Sequence, residues 1–164
     1  MTKWQRCMDN ITTNGGAVFS NKALRKYFKK HHCKNPMDKS YIDLADIYGQ
    51  IVSQGAYWEK QNKTTCEEGF FYTSAEYIAD ELCLSVRRVR DMIDVLVAFE
   101  LLIKKLDPGH PNRYAPRPDR LIELTKDVTF KYRDLAKDKK YYKEHGSHRE
   151  TAKLDNIKPR TYMF

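Results

Sequence analysis

A chain of 164 residues with 41% hydrophobic and 12% aromatic side chains can build one compact core with appendages, which excludes a wholly disordered protein. No apolar run approaches the ~20 residues needed to cross a bilayer, and the N-terminus lacks the apolar stretch of a secretory signal, so a cytoplasmic protein with no membrane partner is expected. With 30 Lys and Arg against 22 Asp and Glu, the net charge of +8 favours a polyanionic partner.

That charge is unevenly spread. Residues 1–60 carry ten Lys and Arg against five acids, residues 61–125 nine against eleven, and residues 126–164 eleven against six. The flanks are basic and the middle is slightly acidic, so any basic reading surface in the middle must be segregated onto one face. Cys7, Cys33, Cys66 and Cys83 lack the paired spacing of a zinc site and are expected as reduced structural thiols. His31-His32-Cys33, His145 and His148 have no second matching cluster, so neither a metal nor a cofactor is expected. There is no phosphate-cradling glycine loop, nucleophile elbow or paired carboxylate set with a partner histidine, and a non-enzymatic protein follows.

In chain order, residues 1–36 read as a basic N-terminal arm that includes Gly15-Gly16 and a short helix from Asn21 to about His32. Leu24, Tyr27 and Phe28 share one side of it, and Lys22, Arg25, Lys26, Lys29 and Lys30 the other. A DNA-gripping arm and a solvated helix packed on the domain are both compatible with that pattern. Pro36 ends the segment. Asp38 or Ser40 can cap a helix from about Lys39 to about Gln61, in which Ile42, Leu44, Ala45, Tyr48, Ile51, Val52 and Ala56 keep helical spacing. Tyr48, Tyr57 and Trp58 fit core positions better than base-stacking platforms. A polar loop, 62–68, leads to Gly69 and the strand Phe70-Phe71-Tyr72.

Thr73 with Glu76 forms a capping-box pattern, with Ser74 as an alternative cap, for a helix from about Ser74 to about Cys83. Leu84 can plug the angle of a turn over Cys83-Leu84-Ser85, and Ser85 can cap a second helix. In that helix, 85–99, Val89, Met92, Ile93, Leu96 and Phe99 form an apolar stripe opposite Arg87, Arg88, Arg90, Asp91 and Asp94. Arginines in the first turns suit guanine or phosphate. Arg87 with Asp91 and Arg90 with Asp94 are equally spaced for ion pairs within the helix. Leu101 to Leu106 then gives a strand, 107–112 a Pro- and Gly-rich turn, and Arg113-Tyr114-Ala115 a returning strand. This wing offers Lys104, Lys105, His110, Asn112 and Arg113 to a phosphate backbone; an ordinary exposed hairpin is the competing reading.

Pro116-Arg117-Pro118 breaks the chain, Asp119 can cap a brief helix through Leu124, and Arg117 and Arg120 can extend a basic rim. Residues 126–164 form a basic, partly helical extension in which Lys137, Lys139, Lys140 and Lys143 surround Tyr141 and Tyr142. Tyr162-Met163-Phe164 at its end suit docking on a host protein or on a second copy of the chain, a homodimer.

Residues Ile47 through Trp58, Gly69-Phe70-Phe71-Tyr72-Thr73, Leu84-Ser85 with Val89, Ile93 and Leu96, Leu101-Leu102-Ile103, and Pro111-Asn112-Arg113-Tyr114 together resemble the N-terminal winged-helix domain of phage replisome organisers and plasmid replication initiators. The resemblance covers roughly half the chain. Such domains commonly carry Gly where this chain has Glu100, and that Gly supplies a left-handed helix end.

The expected fold is therefore mainly α (α+β): a winged helix-turn-helix over 37–125, with a small β-hairpin wing and helical basic extensions on either side. The resemblance implies sequence-specific binding of double-stranded DNA in replication initiation. Helix 85–99 would enter the major groove and wing 104–114 would lie on the flanking groove, with Ser85, Arg87, Arg88, Arg90, Lys104, Lys105, Asn112, Arg113 and Arg117 as contacts. A compact transcriptional regulator and a winged-helix module that docks on host proteins are the alternatives.

Overall fold

The computed structural model describes residues 2–13, 19–60, 69–131 and 143–144. Readings made for 14–18, 61–68, 132–142 and 145–164, including the Tyr141-Tyr142 and Tyr162-Met163-Phe164 clusters, lie outside them. Along the chain come α1 (Lys3–Thr13), α2 (Lys22–His31), α3 (Ser40–Lys60), β1 (Phe71–Tyr72), α4 (Ala75–Leu82), α5 (Val86–Ala98), β2 (Leu102–Lys105), β3 (Arg113–Pro116) and α6 (Pro118–Thr125). All belong to the unit Met1–Val128; the second unit is Thr129–Phe164. The three strands form one antiparallel sheet in the order β1-β3-β2, with Phe71 opposite Tyr114 and Lys105 opposite Arg113. The fold is α+β in the winged-helix layout.

The core collects the apolar stripes that the sequence spaces at helical intervals. Leu44, Ile47, Tyr48 and Ile51 from α3 meet Ile78 from α4 and Val89, Ile93 and Leu96 from α5, while Phe71, Leu102 and Tyr114 cap them from the sheet. Leu24 and Phe28 of α2 are fully buried in the same cluster, so this helix is built into the core while its lysines stay outside. The Phe28 ring meets Phe99 edge-on at 5.3 Å. Gly49 permits the chain before α2 to cross α3: a Cβ there would lie 1.6 Å from the Phe19 carbonyl oxygen.

Helix ends are fixed by side chains and by two non-glycine residues in left-handed geometry. Asn21 caps α2 by accepting from the Leu24 amide at 2.9 Å. Ser74, rather than Thr73, caps α4, accepting from Tyr77 at 3.1 Å. Thr73 is buried and its hydroxyl donates to Gln54, which removes it from the capping role. Cys83 (φ 55) ends α4, and Leu84 N–H returns to the Ala79 carbonyl at 2.9 Å. Glu100 (φ 61) ends α5, with its own N–H on Val97 and that of Leu101 on Leu96. These paired bonds are Schellman closures. Glu100 thus adopts the conformation that glycine would take without a Cβ penalty, at a cost of about 1–3 kcal/mol. Its carboxylate sits 3.7 Å from Arg117 and 3.6 Å from Arg120, and Arg120 also donates to the Phe99 carbonyl.

Two elements depart from the sequence reading. Residues 3–13 form a helix where a weakly patterned arm was expected; Thr2 and Gln5 cap it reciprocally, the Gln5 amide on Thr2 Oγ1 at 3.1 Å and the Thr2 amide on Gln5 Oε1 at 2.7 Å. In α6, Pro118 occupies the first turn and Asp119 lies inside the helix, so Asp119 does not cap it.

Candidate nucleic-acid interface

The turn Cys83-Leu84-Ser85 sets how α5 stands on α4. Leu84 packs half-buried against the core, and Ser85 Oγ accepts from the Arg88 amide at 3.1 Å. Capping by a neutral hydroxyl leaves the first turn of α5 with no acidic residue. The positive end of a helix normally gathers carboxylates, and cations there lose about 0.3–1 kcal/mol. Here Arg87, Arg88 and Arg90 follow one another at that end.

Their surroundings differ. Arg88 turns towards α3 and donates to Asp43 at 2.9 Å. Arg90 turns towards α4 and meets Glu76 at 2.6 Å. Arg87 points away from both and, among the described residues, has neither an ion pair nor a side-chain hydrogen bond. Of the two ion pairs that spacing alone allowed within α5, Arg87 with Asp91 does not form, and Arg90 with Asp94 is replaced by pairs between elements: Arg90 goes to Glu76, and Asp94 goes to Lys104 of β2 at 3.5 Å. A helix-internal pair is worth only about 0.2–0.5 kcal/mol, so a better-placed acid next door displaces it.

The hairpin is braced from within. Asp107-Pro108-Gly109-His110 closes with the His110 amide on the Asp107 carbonyl at 3.0 Å, and Gly109 takes φ 81. Pro then Gly at the two central positions is the chemistry of a type II turn. The Tyr72 hydroxyl donates to Asp107 Oδ2 at 2.7 Å. That bond, aided by the charges of Arg113 and His110, holds the Asp107 carboxyl below its ordinary value. Arg113 lies with its guanidinium 5.3 Å over the Tyr72 ring and 3.7 Å from Asp107. Its side chain is 16% exposed, and its Nε is buried without a hydrogen-bond partner. Arg113 is thus turned into the hairpin root. Lys105 lies over the Phe70 ring at 5.6 Å, Asn112 is half-buried and accepts the Thr73 amide on its carbonyl, and Arg117 sits between Glu100 and Asp119.

Between the start of α4, the outer side of α5 and the hairpin runs a groove of about 350 Å³, lined by Ser74, Glu76, Arg90, Asp94, Lys104 and Asn112 among others. The structure therefore brings together Arg90, Lys104 and Asn112 around one concave surface, whereas Ser85 and Arg87 are exposed at the start of α5 and do not line it. Arg88 and Arg113 are placed in internal pairs, and Arg117 lies beyond the hairpin at the start of α6. Sequence spacing could not show which arginines are tied, because Asp43 and Glu76 are 45 and 14 residues away. A second cleft, of about 600 Å³, adjoins the first at Thr73, Ser74 and Pro111 and is walled by Tyr57, Trp58, Tyr72 and Tyr77. Tyr48 is buried as expected of a core residue, but Tyr57 is 56% exposed.

No protein-family model matches the chain, and no curated protein matches it in sequence. Among solved structures, one described as the N-terminal domain of a DNA binding protein is similar over 97% of both chains, with a TM-score of 0.46 and 16% identity. No helix among the described residues is long and apolar enough to cross a membrane.

Proposed function

We propose that this chain binds double-stranded DNA in a sequence-specific manner, with the first turns of α5 in the major groove and the tip of the β2–β3 hairpin on the flanking backbone. The observation that carries the reading is Arg87: an exposed arginine at the positive end of a helix, opposite the core stripe, that forms no ion pair among the described residues. An external anion or a guanine edge supplies the missing partner and offsets the unfavourable placement. The exposed lysines of α2 and the C-terminal cations add affinity through released counterions, without sequence preference. The resemblance of residues 47–114 to replication-initiator domains makes an origin of a phage or other mobile element the target we favour over a promoter; where the recovered motif falls in the element's sequence separates those two.

One set of contacts favours a second reading. Arg88 and Arg90 are neutralised by Asp43 and Glu76, and Asp91 and Asp94 are exposed beside Arg87, which suits a module docking on a basic host protein. Selection of bound duplexes from a random pool at near-physiological salt, followed by a salt titration, separates the two. The DNA reading expects an enriched motif and an affinity that falls steeply with salt. No enrichment, with binding insensitive to salt, would transfer the function to protein docking.

A further inference from the structure

The outward line of α5 is not uniformly basic, and its acid has a use. With 3.6 residues per turn, Arg87 and Asp91 lie one turn apart on the side opposite Val89 and Leu96, while Arg88 and Arg90 fall on the two flanks where their partners wait. Asp91 is exposed and, like Arg87, has no ion pair or side-chain hydrogen bond among the described residues. Asp94, on the same side, is held 3.5 Å from Lys104. A free carboxylate carried into a groove between phosphate backbones is repelled unless it meets a donor, because an unanswered charge loses its hydration there. The major groove offers two amine donors, cytosine N4 and adenine N6, and the cytosine amine suits a carboxylate because no N7 acceptor lies beside it as in adenine.

Resting on the DNA-binding reading above, we infer that Arg87 and Asp91 form a two-residue readout, in which Arg87 takes a guanine through O6 and N7 and Asp91 accepts from the N4 amine of a cytosine nearby. Four helical residues advance about 6 Å, and base pairs stack about 3.4 Å apart, so the two bases lie within two base steps of each other. Asp91 also discriminates by exclusion. Thymine O4 and guanine O6 are acceptors and would face the carboxylate with no hydrogen between them. Arg88 and Arg90 buttress the helix from α3 and α4 and read nothing.

The experiment uses the full chain and the duplex it selects, varied at every position by competition. The wild type is expected to prefer guanine and cytosine within two base steps. Asp91→Ala keeps the helix, since alanine suits its interior, and should retain the guanine preference while cytosine discrimination falls about tenfold; affinity for unrelated duplexes should rise as a negative charge leaves. Asp94→Ala should leave the cytosine preference in place. An Asp91→Ala protein with every base preference intact would overturn the inference while leaving DNA recognition standing. So would a wild-type motif lacking cytosine near its guanine. If the wild type selects no motif at all, the DNA-binding reading fails and this inference falls with it.

Discussion

Helices α2 and α5 both bury an apolar stripe in one core and present cations outside, yet they present them differently. In α2 the outer side carries Lys22, Arg25, Lys26, Lys29 and Lys30 with no acid in the helix. Arg25 pairs with Asp46 at 2.7 Å, and Lys29 lies over the Tyr41 ring. In α5 three arginines share the outer side with two aspartates, and two of the three are fixed by acids of α3 and α4. The more basic helix carries flexible point charges suited to phosphate. The less basic one is tied to α3 and α4 through Arg88 and Arg90 and leaves Arg87 and Asp91 exposed, which on the proposed reading face base edges. On the proposed reading, net charge locates the grip and the pairing pattern locates the reader.

The largest expected effects come from the buried sides, where the two helices should behave alike. Phe28→Ala is expected to cost about 3–5 kcal/mol and Leu96→Ala about 2–5 kcal/mol of unfolding free energy in urea titrations. A neutral Phe28→Ala would return α2 to the status of a loose arm and break the comparison at its base.

The outer sides should then diverge. Arg87→Ala is expected to remove about 1–3 kcal/mol of discrimination at one base pair, measured by competition between duplexes, with thermal stability unchanged. Arg88→Ala should instead alter stability by about 0.2–1 kcal/mol through the lost Asp43 pair and leave base preference alone. A smaller and uniform effect is expected from Lys22→Ala combined with Lys30→Ala: equal weakening on every duplex, with a salt slope reduced by at most about one per lysine. A changed base preference in that double variant would erase the distinction between grip and reader.

The smallest effect lies in the hairpin and fades in acid. Asp107 is held below its ordinary value near 3.8, first by the Tyr72 hydroxyl and then by the Arg113 and His110 charges. Its contribution is therefore present above the ordinary value and is lost as pH falls through the lower folded one. Tyr72→Phe lets the carboxyl rise towards 3.8, so the variant should be slightly less stable than the wild type at neutral pH, with the difference shrinking as pH falls through the folded value. A pH series of thermal melts in which the two proteins superimpose from neutral pH into acid would remove the brace from the account.

Much of this fold is legible in the residues themselves, because local rules and tertiary packing agree. Val89, Ile93 and Leu96 keep a helical period, Ser85 caps where the period starts, and Pro108-Gly109 turns where two short strands must meet. The misses have local causes of two kinds. The Thr2 and Gln5 pair is a capping signal in a segment whose apolar pattern is weak, and pattern outweighed cap. Glu100 in left-handed geometry contradicts propensity and is held by Arg117 and Arg120, which arrive with α6. The candidate interface is less legible than the fold. Arg88, Arg90 and Arg113 look alike in sequence to Arg87, and what separates them is the position of Asp43, Glu76, Asp107 and the Tyr72 ring once the chain has folded.

The most direct test of the central claim is a map of backbone amide shifts as the selected duplex is added to isotopically labelled protein, first at low salt and then at high salt. The account predicts changes over 85–91 and at the hairpin tip, 107–112, that persist at high salt, while changes on α2 fade. Changes confined to α2 that vanish with salt, or none along the first turns of α5, would contradict it.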